Sequence, residues 1–146
     1  MIRKLCPGDR NAYIQMTQAF YHSSAVTHCV PQSFFEKTFS ELMASDVYCE
    51  CFVHADGEAV NAYALVSKTY SQEAGGLCVW VEELYVMPSA RGRGIGTLLL
   101  ERIEREFPSA ARFRLELTPE NTSAEKLYIR HGYEPLSYKQ MIKDIR

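Results

Sequence analysis

Arg91-Gly92-Arg93-Gly94-Ile95-Gly96 stands where the periodicity of the chain changes. Before it, Leu77 to Met87 (LCVWVEELYVM) is a nearly continuous β-prone run that Pro88 ends, because proline cannot donate to a central ladder. After it, Thr97 to Glu106 (TLLLERIERE) has the spacing of an amphipathic helix that ends before Pro108. A strand, a glycine turn and a helix in that order form a phosphate-binding arrangement. The first-turn N–H groups have no partner inside the helix, and the helix dipole favours an anion there. Gly92, Gly94 and Gly96 lack the Cβ atoms that would block a pyrophosphate, and Arg91 and Arg93 add charge-assisted donors. The blander reading of the same residues is a tight turn with solvated arginines. Two familiar phosphate loops are excluded by counting. No Gly-Lys pair exists for a P-loop, and the third glycine of G-x-G-x-x-G would fall on Thr97.

The remaining elements surround this turn. Asp9 to His22 and Pro31 to Ala44 carry apolar residues at helical intervals, with Asp9 expected as the first N-cap. Val47 to Ala55 and Ala59 to Ser67 read as strands joined by an Asp56-Gly57 hairpin turn. Arg112 to Thr118 alternates as a strand, and Asn121 to His131 is a helix that Gly132 terminates. Tyr133 and Tyr138 to Ile142 are expected as the last short strands. With no linker, repeat or low-complexity stretch, residues 1–146 are expected to form one α/β domain with a mixed sheet. A net charge of −2 lacks the basic surplus of a nucleic-acid binder. No apolar run is long enough for a bilayer, and the start has no signal-peptide stretch, so the expected location is cytoplasmic. Five scattered cysteines without a C-x-x-C pair, and four histidines that do not cluster, predict no metal site and mostly buried, reduced thiols.

Two motifs together carry a family resemblance. Arg91-x-x-Gly94-x-Gly96 resembles the acyl-CoA motif [Q/R]-x-x-G-x-[G/A] of the GCN5-related N-acetyltransferases (GNAT). Asn121-x-x-Ala124-x-x-Leu127-Tyr128-x-x-x-Gly132-Tyr133 is similar to the same family's N-x-x-A-x-x-x-Y-x-x-x-G-[F/Y]. The resemblance covers the chain in element order and is sharp from 79 to 133. It implies the GNAT-type acyl-CoA N-acyltransferase fold and acetyl transfer from acetyl-CoA to a primary amine, with no metal. It further implies cofactor contacts through Leu84, Tyr85 and Val86 on the strand, and through Arg91, Gly92, Arg93, Gly94, Ile95, Gly96 and Thr97 in the turn. Asn121 and Ser123 on the following helix complete that set.

The chemistry sets the remaining roles. An alkylammonium with a pKa near ~10 cannot attack until it loses a proton. The oxyanion needs a donor, and the leaving thiolate needs a proton or a hydrogen bond. Tyr128 occupies the family's tyrosine position, where the phenol serves as general acid; a core tyrosine beside Leu127 is the competing reading. Glu82 and Glu83 are the candidate bases. By strand alternation the two should point to opposite faces, so that at most one looks into the site directly. Glu82 aligns with the glutamate that polyamine-type members use, with Glu83 or water alone as the alternatives. The first two helices and their connection should hold the acceptor, and Phe20, Tyr21, His22, His28, Phe34 and Phe35 could line its pocket. The acidic pair favours a small cationic amine. Expected partners are that amine and, as an open question, a second copy of the chain in a homodimer, with no nucleic acid or membrane. The competing readings are a non-catalytic acyl-CoA sensor and a protein N-terminal acetyltransferase.

Overall fold

The computed structural model describes residues 1–145. Its elements are β1 (Ile2–Lys4), α1 (Arg10–Tyr21), α2 (Gln32–Ala44), β2 (Cys49–Asp56), β3 (Ala59–Ser71), β4 (Gly76–Val86), α3 (Ile95–Glu106), β5 (Arg112–Leu115) and α4 (Thr122–Arg130). The five strands form one mixed sheet in the order β1-β2-β3-β4-β5. Neighbours from β1 to β4 pair antiparallel: β2–β3 and β3–β4 are hairpins, while α1 and α2 intervene between β1 and β2. The β4–β5 pair is parallel and needs a crossover, which α3 supplies. Among the described residues, no helix is long and apolar enough to cross a membrane.

Alternation along β2 and β3 divides the apolar residues between two cores. Phe52, Ala62, Ala64 and Val66 join Val79, Val81, Ile95, Leu99, Ile103 and Tyr128 on the face that α3 and α4 cover. Cys51, Val53, Tyr63 and Leu65 pack with Tyr13, Met16, Phe35 and Phe39 on the face that α1 and α2 cover. Two irregularities in β4 shape the site. Leu65 pairs with Glu83 and Val66 with Val81, so Glu82 is an extra residue in a β-bulge. The last β4–β5 pair is Val81 with Leu115, so the sheet divides there and Glu82–Val86 continue without β5 beside them.

Several expectations need correction. β1 was not foreseen; it is held in place by its pairing with β2 and by the Met1 ammonium donating to the Ala55 carbonyl at 2.9 Å. Asp9 precedes α1 but does not cap it. Its carboxylate instead takes both guanidinium nitrogens of Arg3, at 2.6 and 2.9 Å, and the Cys6 N–H at 2.9 Å. The β5 strand stops at Leu115 rather than Thr118. No strand forms at Tyr133 or at 138–142, where Tyr138, Met141 and Ile142 are exposed. Pro135 lacks a ladder donor there, and β5 offers an edge of only four residues. The thiols are free, but only Cys51 and Cys78 are buried; Cys6 and Cys29 are exposed.

Candidate active site

The chain leaves β4 through Met87, makes a short 3-10 turn at Pro88–Ala90, and enters α3 from Gly94 in the left-handed region at φ 73°. No side chain caps this helix, and its first α-type bond is Leu98 N–H to the Gly94 carbonyl at 3.1 Å. The N–H groups of Ile95, Gly96 and Thr97 therefore precede the ladder and remain for an anion. A Cβ added at Gly92 or Gly94 would meet no atom within 4 Å, so open space lies over the turn. Gly96 differs. A Cβ there would come within 3.0 Å of Leu127 Cδ2, so this missing side chain admits α4 rather than a ligand. Ile95 is likewise buried in the core and offers only its backbone. Arg91 donates through Nε to the Val86 carbonyl at 3.0 Å, and Arg93 pairs with Asp56 of the β2–β3 hairpin at 3.0 Å. That hairpin contact was not legible from spacing.

The Val86 carbonyl that receives Arg91 points away from β3, as the Met87 N–H to Asn61 bond on the β3 side requires. The amides of Leu84 and Val86 share that outward direction, and β5 no longer fills it. Tyr85 turns its amide to β3 and its ring into the α1–α2 face, 6.1 Å from Tyr63.

The bulge overturns the expectation that the two glutamates point to opposite faces. With one extra residue in the strand, Glu82 and Glu83 both lie on the α1–α2 face. Glu82 is exposed and accepts from the Ser67 hydroxyl at 2.5 Å. Its other oxygen has no protein donor among the described residues. Glu83 is 7% exposed and holds two phenols, Tyr21 on Oε1 and Tyr63 on Oε2, each at 2.6 Å. Burial raises its pKa, while the two hydroxyl donors oppose that by stabilising the anion.

Tyr128 lies on the opposite face, between α3, α4 and the sheet, with its ring 5.7 Å from that of Tyr133. Burial pushes its pKa up to about 12. Its hydroxyl has no protein partner among the described residues and is not among the fully enclosed polar atoms, so it retains access to solvent. Asn121 and Ser123 stand at the start of α4, where neither side chain caps the helix. A cleft of about 760 Å³ runs between β5, α4 and the segment after Gly132. Tyr128 lines it, but the glycine turn and both glutamates do not. It follows the unpaired β5 edge, so we place the chemistry at the division of the sheet instead.

Of the residues expected around an acceptor, Phe20 and Phe35 are core, His22 and His28 are exposed, and Phe34 is half-buried. Tyr21 alone meets a candidate carboxylate. The Tyr21–Glu83–Tyr63 cluster escaped the sequence reading because its members lie 62 and 20 residues apart. The only hint was a second acidic residue inside an apolar strand. Among the described residues, no group of three metal-ligating side chains occurs.

A family model described as the acetyltransferase (GNAT) family matches residues 13–133. The chain is 33% identical over 85 residues to a thialysine N-epsilon-acetyltransferase of Mus musculus, a match covering 57% of this chain and 49% of that protein. It thus spans about half the length of this curated relative. Two solved structures share its fold. An aminoglycoside N-acetyltransferase AAC(6')-Iy in complex with CoA superposes with a TM-score of 0.82 at 17% identity, over 99% of this chain and 93% of that one. A ribosomal-protein-alanine N-acetyltransferase from Brucella melitensis biovar Abortus 2308 gives 0.80 at 15% identity, over 99% and 98%.

Proposed function

The chain belongs to the GNAT acetyltransferase family, and on that premise we propose that it transfers the acetyl group of acetyl-CoA to the primary amine of a small cationic molecule, with both substrates bound together. The observation that carries this reading is the division of the sheet at Val81. Beyond it, one strand offers outward amides along its free edge and, on one face, a pair of glutamates. Past its end, a short 3-10 turn and the glycine turn lead into an uncapped helix start.

The residues fit a CoA ester. Open space over Gly92 and Gly94, the amides of Ile95, Gly96 and Thr97, and the side chains of Arg91 and Arg93 suit a pyrophosphate. Asn121 and Ser123 would add polar contacts from α4. The outward amides of Leu84 and Val86, with Tyr85 between them, supply main-chain donors for the thioester carbonyl, where negative charge grows during attack. Glu82 has a free oxygen and access to water, and takes the proton the ammonium must lose. Tyr128, with a pKa of about 12, stays protonated at any working pH and donates its hydrogen to the departing sulfur. The two acidic side chains select a cationic acceptor, consistent with the amine named for the mouse relative.

Thermal-shift titrations with acetyl-CoA, CoA, NAD and ATP test the cofactor half, since a bound ligand raises apparent stability. Acetyl-CoA and CoA should stabilise the protein and NAD should not; the reverse would overturn the reading. A panel of amines assayed by thiol release tests the acceptor half.

A further inference from the structure

The cluster under the acceptor face has an asymmetry in hydrogen-bonding capacity. Each oxygen of Glu83 holds a phenol and the side chain is 7% exposed, so burial, more than lack of lone pairs, keeps this carboxylate from a substrate. Tyr63 is fully buried, and its hydroxyl has nowhere else to donate. Tyr21, at the last position of α1, is half-buried where Tyr63 is fully buried, so of the two phenols on Glu83 it is the one nearer the surface. A phenol has one hydrogen and two lone pairs. Here the hydrogen is held on Glu83, so only acceptor capacity is left to point outward. Glu82, the next residue in the bulge, lies near enough for its charge to act on the Tyr21 phenol.

We propose that Tyr21 is a specificity-determining residue whose hydroxyl oxygen accepts one N–H of the incoming ammonium, because Glu83 holds the phenol's own proton inward. This rests on the acetyltransferase reading above and adds a residue to it. Glu82 removes one proton, and Tyr21 holds a second N–H, which fixes the direction of the lone pair that the lost proton exposes. A cation with no N–H loses this contact while keeping its charge. Glu83 acts only through Tyr21 and is a positioning residue.

The test compares each amine with its trimethylammonium counterpart, using thialysine with its ε-trimethyl form and n-butylamine with butyltrimethylammonium. Dissociation constants are measured on the full chain with CoA bound. The dissociation constant of the trimethylammonium form divided by that of the amine cancels general damage to the pocket and isolates contacts made through N–H. In Tyr21→Phe, which keeps the ring packing on Phe20 and Phe35, the ratio should fall roughly 5- to 10-fold, the size of one hydrogen bond in a binding site. Glu83→Gln should lower it as much, although it is nearly isosteric. The buried Tyr63 keeps the amide oxygen, so the amide N–H₂ faces Tyr21 and turns its hydroxyl outward as a donor. The CoA-induced thermal shift should survive in both variants and shows that they fold. If Glu83→Gln does not fold, Tyr21→Phe decides alone. A ratio unchanged in Tyr21→Phe overturns the proposal. So does a wild type that binds acetyl-CoA but neither amine. Failure to bind acetyl-CoA as well brings down the acetyltransferase reading beneath it.

Discussion

The two faces of the sheet reach their polar chemistry by different means. On the α3–α4 side, the polar groups belong to backbone: three amides before the helical ladder begins, two glycines with open space above them, and a strand edge left free where β5 ends. On the α1–α2 side the chemistry belongs to side chains, namely two glutamates, two tyrosines and a serine gathered by a bulge. Backbone donors need only the right φ and ψ and tolerate many side chains. A buried carboxylate must be provided with donors from distant parts of the chain, or it would be costly. The first face is therefore sensitive to backbone strain and the second to single hydrogen bonds and to pH.

Substitutions can break or sharpen this contrast. The largest effect is expected at Gly94. Gly94→Val forces a branched residue to φ 73°, at about 1–3 kcal/mol of strain, and fills the space over the turn. Calorimetry should find no acetyl-CoA binding. Next, Tyr128→Phe should lower turnover roughly 10²-fold at saturating substrates, within the range for general acid catalysis, with little change in melting temperature. Unchanged turnover would remove the phenol from the mechanism. Glu82→Gln should have a smaller effect, about tenfold in kcat at neutral pH, and the deficit should shrink as the pH rises and more of the amine is already neutral. A deficit constant across the pH profile would mean that Glu82 binds but does not take the proton.

The smallest effect concerns how α1 is fastened beneath the side-chain face. Its hydrogen bonds with Arg3 hold the Asp9 carboxyl at a pKa of about 2, below the ordinary 3.8. A depressed folded-state pKa stabilises the fold above pH ~4, and that contribution is lost as pH falls through about 2. With Arg3 a third exposed, Asp9→Asn should cost about 1–2 kcal/mol at pH 7 and only a small part of that at pH 2, where the folded carboxyl is half protonated, read as the difference in urea midpoints.

The same contrast explains what was legible in the sequence. Arg91 to Thr97 could be read because glycine spacing and helix onset are local, and residues 95–106 form the helix nearly as expected. Asn121 and Tyr128 were legible by their spacing along one helix. The relation of Glu82 to Glu83 was not, since alternation is a local rule and a bulge is set by the register of the partner strand. Tyr21 stood among several aromatic candidates, and only the packing of α1 on β3 and β4 separated it from Phe20 and Phe35. Gly96 was visible as a glycine but not for its use. Nothing near position 96 in sequence announces Leu127.

That contact between Gly96 and Leu127 has a mechanical consequence. A Cβ at position 96 would come within 3.0 Å of Leu127 Cδ2, so any side chain there would push α4 away from the start of α3. The free amides at the start of α3 and Tyr128, the residue after Leu127 on α4, thus owe their spacing in part to a side chain that is missing. On the other face, residues 22–31, the irregular connection between α1 and α2, are held by Thr118 Oγ1 donating to the Ser24 carbonyl at 2.7 Å.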